Sequence, residues 1–238
     1  MSAIYQESSE LNDAGVRHYV SGEWTKALDC FKRALQTIVT HVSVQNEATR
    51  NKPAVANASG NAIASLERSH LWEGIHSTSN SSLSSFSDEP EKTGSLVFDQ
   101  PLVFEQMLWN GNDASAVGCA CLVFNMALAA HQKYYYSRNA IYLTKALQLY
   151  ESSIEFFSKA SRYVDFAGVV AAAYNNKVHL YYEEDRFDEL ERDLSSLYQV
   201  AMIAHQTIKT DTVLDETDFQ GILLNLFLLR RPITAQAA

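Results

Sequence analysis

The sequence predicts an all-α chain of three helical hairpins and a terminal helix, and three observations predict it. Helix breakers are scarce, with 9 Gly and 4 Pro in 238 residues, while 47% of the chain is apolar, enough for one sizeable core. Between Leu11 and Leu35, small and aromatic residues recur at intervals of three and four, the spacing of two antiparallel helices packed face to face. The same arrangement returns twice further along the chain.

In the first hairpin Gly15 stands where two helices approach closely, Tyr19 and Trp24 flank a Ser21-Gly22 turn, and Ala27, Phe31 and Ala34 line the second helix. From Asn175 to Leu197, Val178 takes the place of Gly15. Tyr182, Phe187, Leu190, Leu194 and Leu197 then match Tyr19, Trp24, Ala27, Phe31 and Ala34 without a gap. The larger Val178 and Leu190 predict a wider splay there. The middle unit puts Ala127 in the glycine position and Ala146, Tyr150 and Ser153 on the second helix, with seven extra residues between the halves. Tyr134 to Tyr142 absorb them at the hairpin tip, whereas an insertion inside a helix would rotate its apolar stripe by about 100° per residue. Asp13, Asn125 and Asn176 each stand two residues before the small position, which supports the register.

This code resembles the tetratricopeptide repeat, a helical hairpin of about 34 residues running from a leading apolar residue through glycine and tyrosine to alanine, phenylalanine and alanine. The proline that often closes the unit is missing around Ile38 to Thr40. The resemblance implies a right-handed α-α superhelix of about three hairpins with a C-terminal cap, because one hairpin cannot bury its own apolar face. The segments LVFNMALAAHQ, LTKALQLYESSIEF, YNNKVHLYYEEDRF and FQGILLNLFLLRRP are further similar to a group of uncharacterised tetratricopeptide-like proteins of unicellular algae, over about residues 96 to 238. That likeness implies a fold without a function.

The chain divides into a first hairpin (1–44), a Ser-rich low-complexity insert (45–112), and the second and third hairpins with the C-terminal helix (113–238), forming one structural domain. Within the insert, Ser77 to Ser87 hold seven serines in eleven positions, followed by Asp88-Glu89-Pro90-Glu91, a composition expected to be disordered. Ser85, three before Asp88, is a candidate phosphorylation site, and the plainer reading is a solvated spacer. Two features interrupt the insert: a short amphipathic helix at Ala62 to Ile75, and Leu96-Val97-Phe98 facing Leu102-Val103-Phe104 across Asp99-Gln100-Pro101. The second is expected to be extended and to dock on the helices. At the C-terminus Thr217 and Gln220 form a capping box, and Leu223, Leu224, Phe227 and Leu228 are expected to insert into the last hairpin.

A net charge of -9 and no cluster of Lys or Arg argue against nucleic-acid binding. The segment Ala114 to Ala130 is about the minimum length for a membrane span, yet its alanines, glycine and cysteines suit a buried helix, so no span is expected. The N-terminus shows neither a secretory nor a transit pattern, and three cysteines fit a reducing compartment, so the expected location is the cytoplasm or the nucleus. Cys119-x-Cys121 lacks a second ligand pair and reads as packing. With no phosphate-binding glycine loop, H-E-x-x-H, G-x-S-x-G or paired CxxC, the chain is read as a non-enzyme without cofactor or metal.

In the family it resembles, the first helix of each hairpin lines a groove. The corresponding positions here are Asn12, Tyr19, Phe124, Leu128, His131, Asn175, His179 and Tyr182, with Asn125 and Asn176 alongside. Asparagine offers a donor and an acceptor to an extended ligand backbone, and the aromatic residues receive its side chains. The alternative is that Asn125 and Asn176 tie neighbouring helices together. Co-chaperone repeats of this family grip heat-shock chaperone tails with cations and asparagines. The equivalent places carry Asn12, Val16, Asn125, Ala172 and Asn176, without a cation, which disfavours carboxylate capture. The leading expectation is a scaffold binding a protein or peptide partner. The alternatives are an obligate oligomer joined through the apolar C-terminal helix, and a small-molecule enzyme on a helical frame.

Overall fold

A computed structural model describes residues 3–49, 97–104, 114–160, 163–207 and 216–230. Every regular element among them is helical: α1 (Ala3–Val20), α2 (Trp24–Thr49), α3 (Ala114–Ser137), α4 (Ala140–Ser158), a 3-10 turn (Tyr163–Phe166), α5 (Ala167–Glu183), α6 (Phe187–Thr207) and α7 (Glu216–Leu228). The all-α expectation therefore stands. The helix expected at Ala62 to Ile75, the serine run and the alanine tail lie outside the described residues.

Helices pack in consecutive pairs, α1 on α2, α3 on α4 and α5 on α6, and the pairs join through α2 against α3 and α4 against α5. In the first pair the residue at 15 must be glycine, since a Cβ there would lie 2.4 Å from Phe31 Cε1. Phe31, Ala27 and Ala34 are fully buried beneath it, and Ser8 Oγ donates to the Ala34 carbonyl at 3.1 Å. The turn ends α1 on Gly22 at φ 73°, with Glu23 N–H donating to the His18 carbonyl at 2.8 Å. The α5–α6 turn closes the same way: Asp185 sits at φ 54° and Arg186 N–H donates to the Tyr181 carbonyl at 2.9 Å. Left-handed backbone of this kind is the usual way to terminate a helix.

The middle pair is longer at its tip. α3 continues through Tyr134, Tyr135 and Tyr136 before Arg138 turns the chain at φ 50°, and Asn139 caps α4 by accepting from Ile141 N–H at 2.9 Å. Those tyrosines reach both neighbours. Tyr136 stacks on Trp24 with ring centroids 4.3 Å apart, Tyr135 hydroxyl lies 2.7 Å from His179 Nδ1, and Tyr134 bonds Glu184. α3 is long and apolar enough to cross a membrane, but α2, α4 and residues 97–104 enclose it, and 94% of its most apolar window is buried.

α7 corrects one expectation. Leu223, Leu224, Phe227 and Leu228 face solvent, Phe227 at 80% exposure, while Phe219, Ile222, Asn225 and Leu229 are buried. The helix is apolar on both sides, so hydropathy cannot choose its rotation. A buried amide pair does, because Asn225 Nδ2 donates to Asn175 Oδ1 at 2.8 Å. α7 also begins at Glu216, which places Thr217 inside the first turn rather than ahead of it.

Candidate binding groove

The first helices α1, α3 and α5 each present asparagine toward the same place, and the chain's own residues 97–104 lie there. This segment has neither helix nor strand. Phe98, Leu102 and Phe104 are buried, while Asp99, Gln100 and Val103 are exposed. Residues 97–104 dock on the helices as expected, with a helix side chain taking the backbone at Phe98 and another at Leu102.

At Phe98, the N–H donates to Asn176 Oδ1 at 2.9 Å and the carbonyl accepts from Asn176 Nδ2 at 2.8 Å. One side-chain amide thus satisfies both polar groups of one residue, the disposition that extended backbone offers to a neighbouring strand. At Leu102, the N–H donates to Asn125 Oδ1 at 2.7 Å and the carbonyl accepts from Asn125 Nδ2 at 2.8 Å. The same carbonyl takes a second bond from Asn12 Nδ2 at 3.0 Å, and Asn125 Nδ2 also donates to Asn12 Oδ1 at 2.9 Å. Residues from α1, α3 and α5 therefore hold two points of one segment, four residues apart. The Phe98 ring meets Phe124 at a centroid distance of 6.0 Å.

Behind Asn176 the polar contacts continue inward. Its second N–H donates to the Tyr150 hydroxyl at 3.0 Å, and that hydroxyl lies 3.1 Å from His131 Nδ1. On its other side, His131 Nε2 is buried with no hydrogen-bond partner among the described residues. Burial, and then the neighbouring His179, hold the His131 pKa well below the usual imidazole range. His179 is pushed down to about 4 by burial. Both rings are therefore neutral at pH 7, and their stacking and hydrogen bonds with Tyr135 and Tyr150 are structural.

The remaining sequence candidates divide. Tyr19 and Leu128 are buried, and the Tyr19 hydroxyl is held protonated by burial and by the nearby Asp99 carboxylate. Asn175 bonds Asn176 at 3.5 Å and α7 through Asn225. Tyr182 is largely outside the groove, with 44% of its surface exposed. Sequence reasoning missed Asn225 and the role of Tyr150. Tyr150 fills the position of Phe31, and its hydroxyl, absent from Phe31, was the one available signal.

Burial pushes the thiols of Cys119 and Cys121 up to about 12, so both are protonated and poor nucleophiles. Among the described residues no group of three His, Cys, Asp or Glu is placed to hold a metal ion. An open depression of about 580 Å³ between α1 and α2, bordered by Glu7, Arg33, Thr37 and Val44, is separate from the groove. No family model matches the chain, and no curated protein or solved structure matches it.

Proposed function

We propose that the chain is a non-catalytic scaffold, a superhelix of tetratricopeptide-like hairpins, that binds a protein or peptide partner along its inner face. The observation that carries this reading is the grip of Asn125 and Asn176 on the backbones of Leu102 and Phe98, which is how amides hold extended polypeptide of any sequence. The matching turns at Gly22 and Asp185, in the register that aligns Gly15 with Val178, support the repeat reading. The clamp-equivalent positions Asn12, Val16, Asn125, Ala172 and Asn176 include no cation, which keeps chaperone tails outside the proposal. A displayed library of random 12-residue peptides selected on the full chain tests it. Enriched peptides should lose binding on Asn125→Ala and Asn176→Ala and keep it on Tyr198→Ser, outside the groove. Failure to enrich, or binding indifferent to the asparagines, refutes the reading.

A second reading is favoured by α7, whose Leu223, Leu224, Phe227 and Leu228 form one solvent-facing apolar strip. A second copy of the chain would cover that strip in an obligate oligomer. Sedimentation as a monomer at micromolar concentration rejects it.

A further inference from the structure

We infer that the groove takes in trans an extended peptide with bulky apolar residues at positions i, i+4 and i+6, non-proline at i and i+4, and that residues 97–104 are its resident competitor. This rests on the peptide-binding reading above and adds the class of ligand and the way the site is regulated.

The pattern follows from what the groove touches. Asn12, Asn125 and Asn176 bond the N–H or carbonyl of Phe98 and Leu102, groups that any non-proline residue supplies. Proline at either place removes the N–H that Asn176 or Asn125 accepts. Selection by size comes from the buried side chains, Phe98 against Phe124, then Leu102 and Phe104. Asp99, Gln100 and Val103 point outward, so those positions of a ligand are unconstrained. Because the contacts are backbone-directed and reach from three helix pairs, the helices present them to a tethered or a free peptide alike.

Release is built into the energetics. Three buried side chains and a few hydrogen bonds are set against the ordering of eight residues, and segments of that kind sit at the low-stability end of a fold. The tether decides the contest. Only residues 105–113 separate the segment from α3, and a short tether gives an effective concentration on the order of millimolar. A weak peptide therefore loses to the resident segment, and a partner matching all three apolar positions displaces it.

The probe is a fluorescein-labelled peptide of sequence SLVFDQPLVFEQ, the chain's own residues 95–106, titrated by anisotropy into the full chain. The Phe98→Ser/Phe104→Ser chain, whose resident segment is weakened, should bind it at least tenfold tighter than the natural chain. Adding Asn176→Ala, or placing proline at the Leu102 position of the peptide, should reverse that gain. If the double variant aggregates, Phe98→Ala serves the same comparison. Equal or absent binding to both chains, with wild-type helical dichroism, overturns the inference and makes the segment a fixed part of the core. A dimer exchanging residues 97–104 between copies overturns it as well. Library peptides that need Asn125 and Asn176 but fail to compete with the probe sink this inference alone and leave the scaffold reading standing.

Discussion

Asn12 and Asn175 stand at matching positions of the first and last helix pairs, yet they face different company. Asn12 donates to the Leu102 carbonyl of the groove segment, whereas Asn175 accepts from Asn225 of α7. The two pairs share a turn and differ in how they close. The first relies on steric intimacy, with Gly15 pressed on Phe31, and the last places Val178 there and adds a buried ion pair. Turn geometry thus fixes the register of a hairpin, while its packing residues and its groove-facing amide are exchangeable. The difference also marks a division of labour within α5, where Asn176 holds the segment at Phe98 and Asn175 holds α7.

The harshest way to break the comparison is at the closest helix contact. Ala27 is fully buried in the first pair, where its counterpart in the last pair is Leu190. Ala27→Glu both overpacks that contact and buries a charge without a partner, and should cost about 4 kcal/mol or more. Loss of helical dichroism or of a cooperative melt checks it. Near-native melting would mean that residue 27 does not face α1 as described.

In the last pair the equivalent weak point is electrostatic. Lys177, 2% exposed, lies 2.8 Å from Asp193 and is also bonded by Glu151. Burial opposes its charge, but the hydrogen bonds it donates to Asp193 and Glu151 outweigh that and raise its pKa. Lys177→Met leaves Asp193 buried with Arg192 as its remaining ion-pair partner, and should cost about 3 kcal/mol in a denaturant titration. Lys177→Met with Asp193→Leu should recover most of that loss, since an apolar pair of similar size often does as well. Failure of the double variant to recover would show that the pair orders α6 in some further way.

These sites also show how much was legible beforehand. The turn at Ser21-Gly22 carries its own chemistry, and one constant offset carried it to Asp185, so local signals placed helices, turns and the tip insertion. The asparagines that meet residues 97–104 or α7 were legible as a set, because Asn12 and Asn175, and Asn125 and Asn176, stand at matching offsets in their helix pairs. Their partners were not. Asn12 meets a residue 90 positions away and Asn176 one 78 positions away, and no periodicity encodes contacts of that range. The rotation of α7 was hidden for a related reason, since a helix apolar on both faces carries no amphipathic signal and a single amide decided it.

Acid should separate the pairs further, because His131 and His179 sit between the second and the third. Both have folded-state pKa values below the free imidazole value, so the unfolded chain binds more protons as pH falls below about 6.5. Stability present above that pH is then lost toward pH 4, and His179 alone accounts for about 3 kcal/mol across that window. Glu183 works in the opposite direction. Burial raises its pKa, so the folded state takes up its proton first and gains stability as pH falls. Melting curves between pH 7.5 and 4.5 should show a net loss that His179→Gln reduces by its own share, leaving the share of His131. An unchanged slope in that variant would assign the acid sensitivity elsewhere.

The smallest effect is the sharpest test of where the groove ends. Asn12→Ala and Asn175→Ala each delete one end of a buried amide pair, and each should cost about 1 to 3 kcal/mol, too similar to separate by stability alone. Their local consequences differ. Removing Asn12 frees the Leu102 carbonyl from one of its two donors and should raise hydrogen exchange across residues 97–104, leaving α7 protected. Removing Asn175 takes away the Oδ1 that accepts from Asn225 and should raise exchange in α7, with residues 97–104 still held by Asn125 and Asn176. If Asn175→Ala loosened the segment as much as Asn12→Ala does, Asn175 and α7 would belong to the groove wall alongside Asn176.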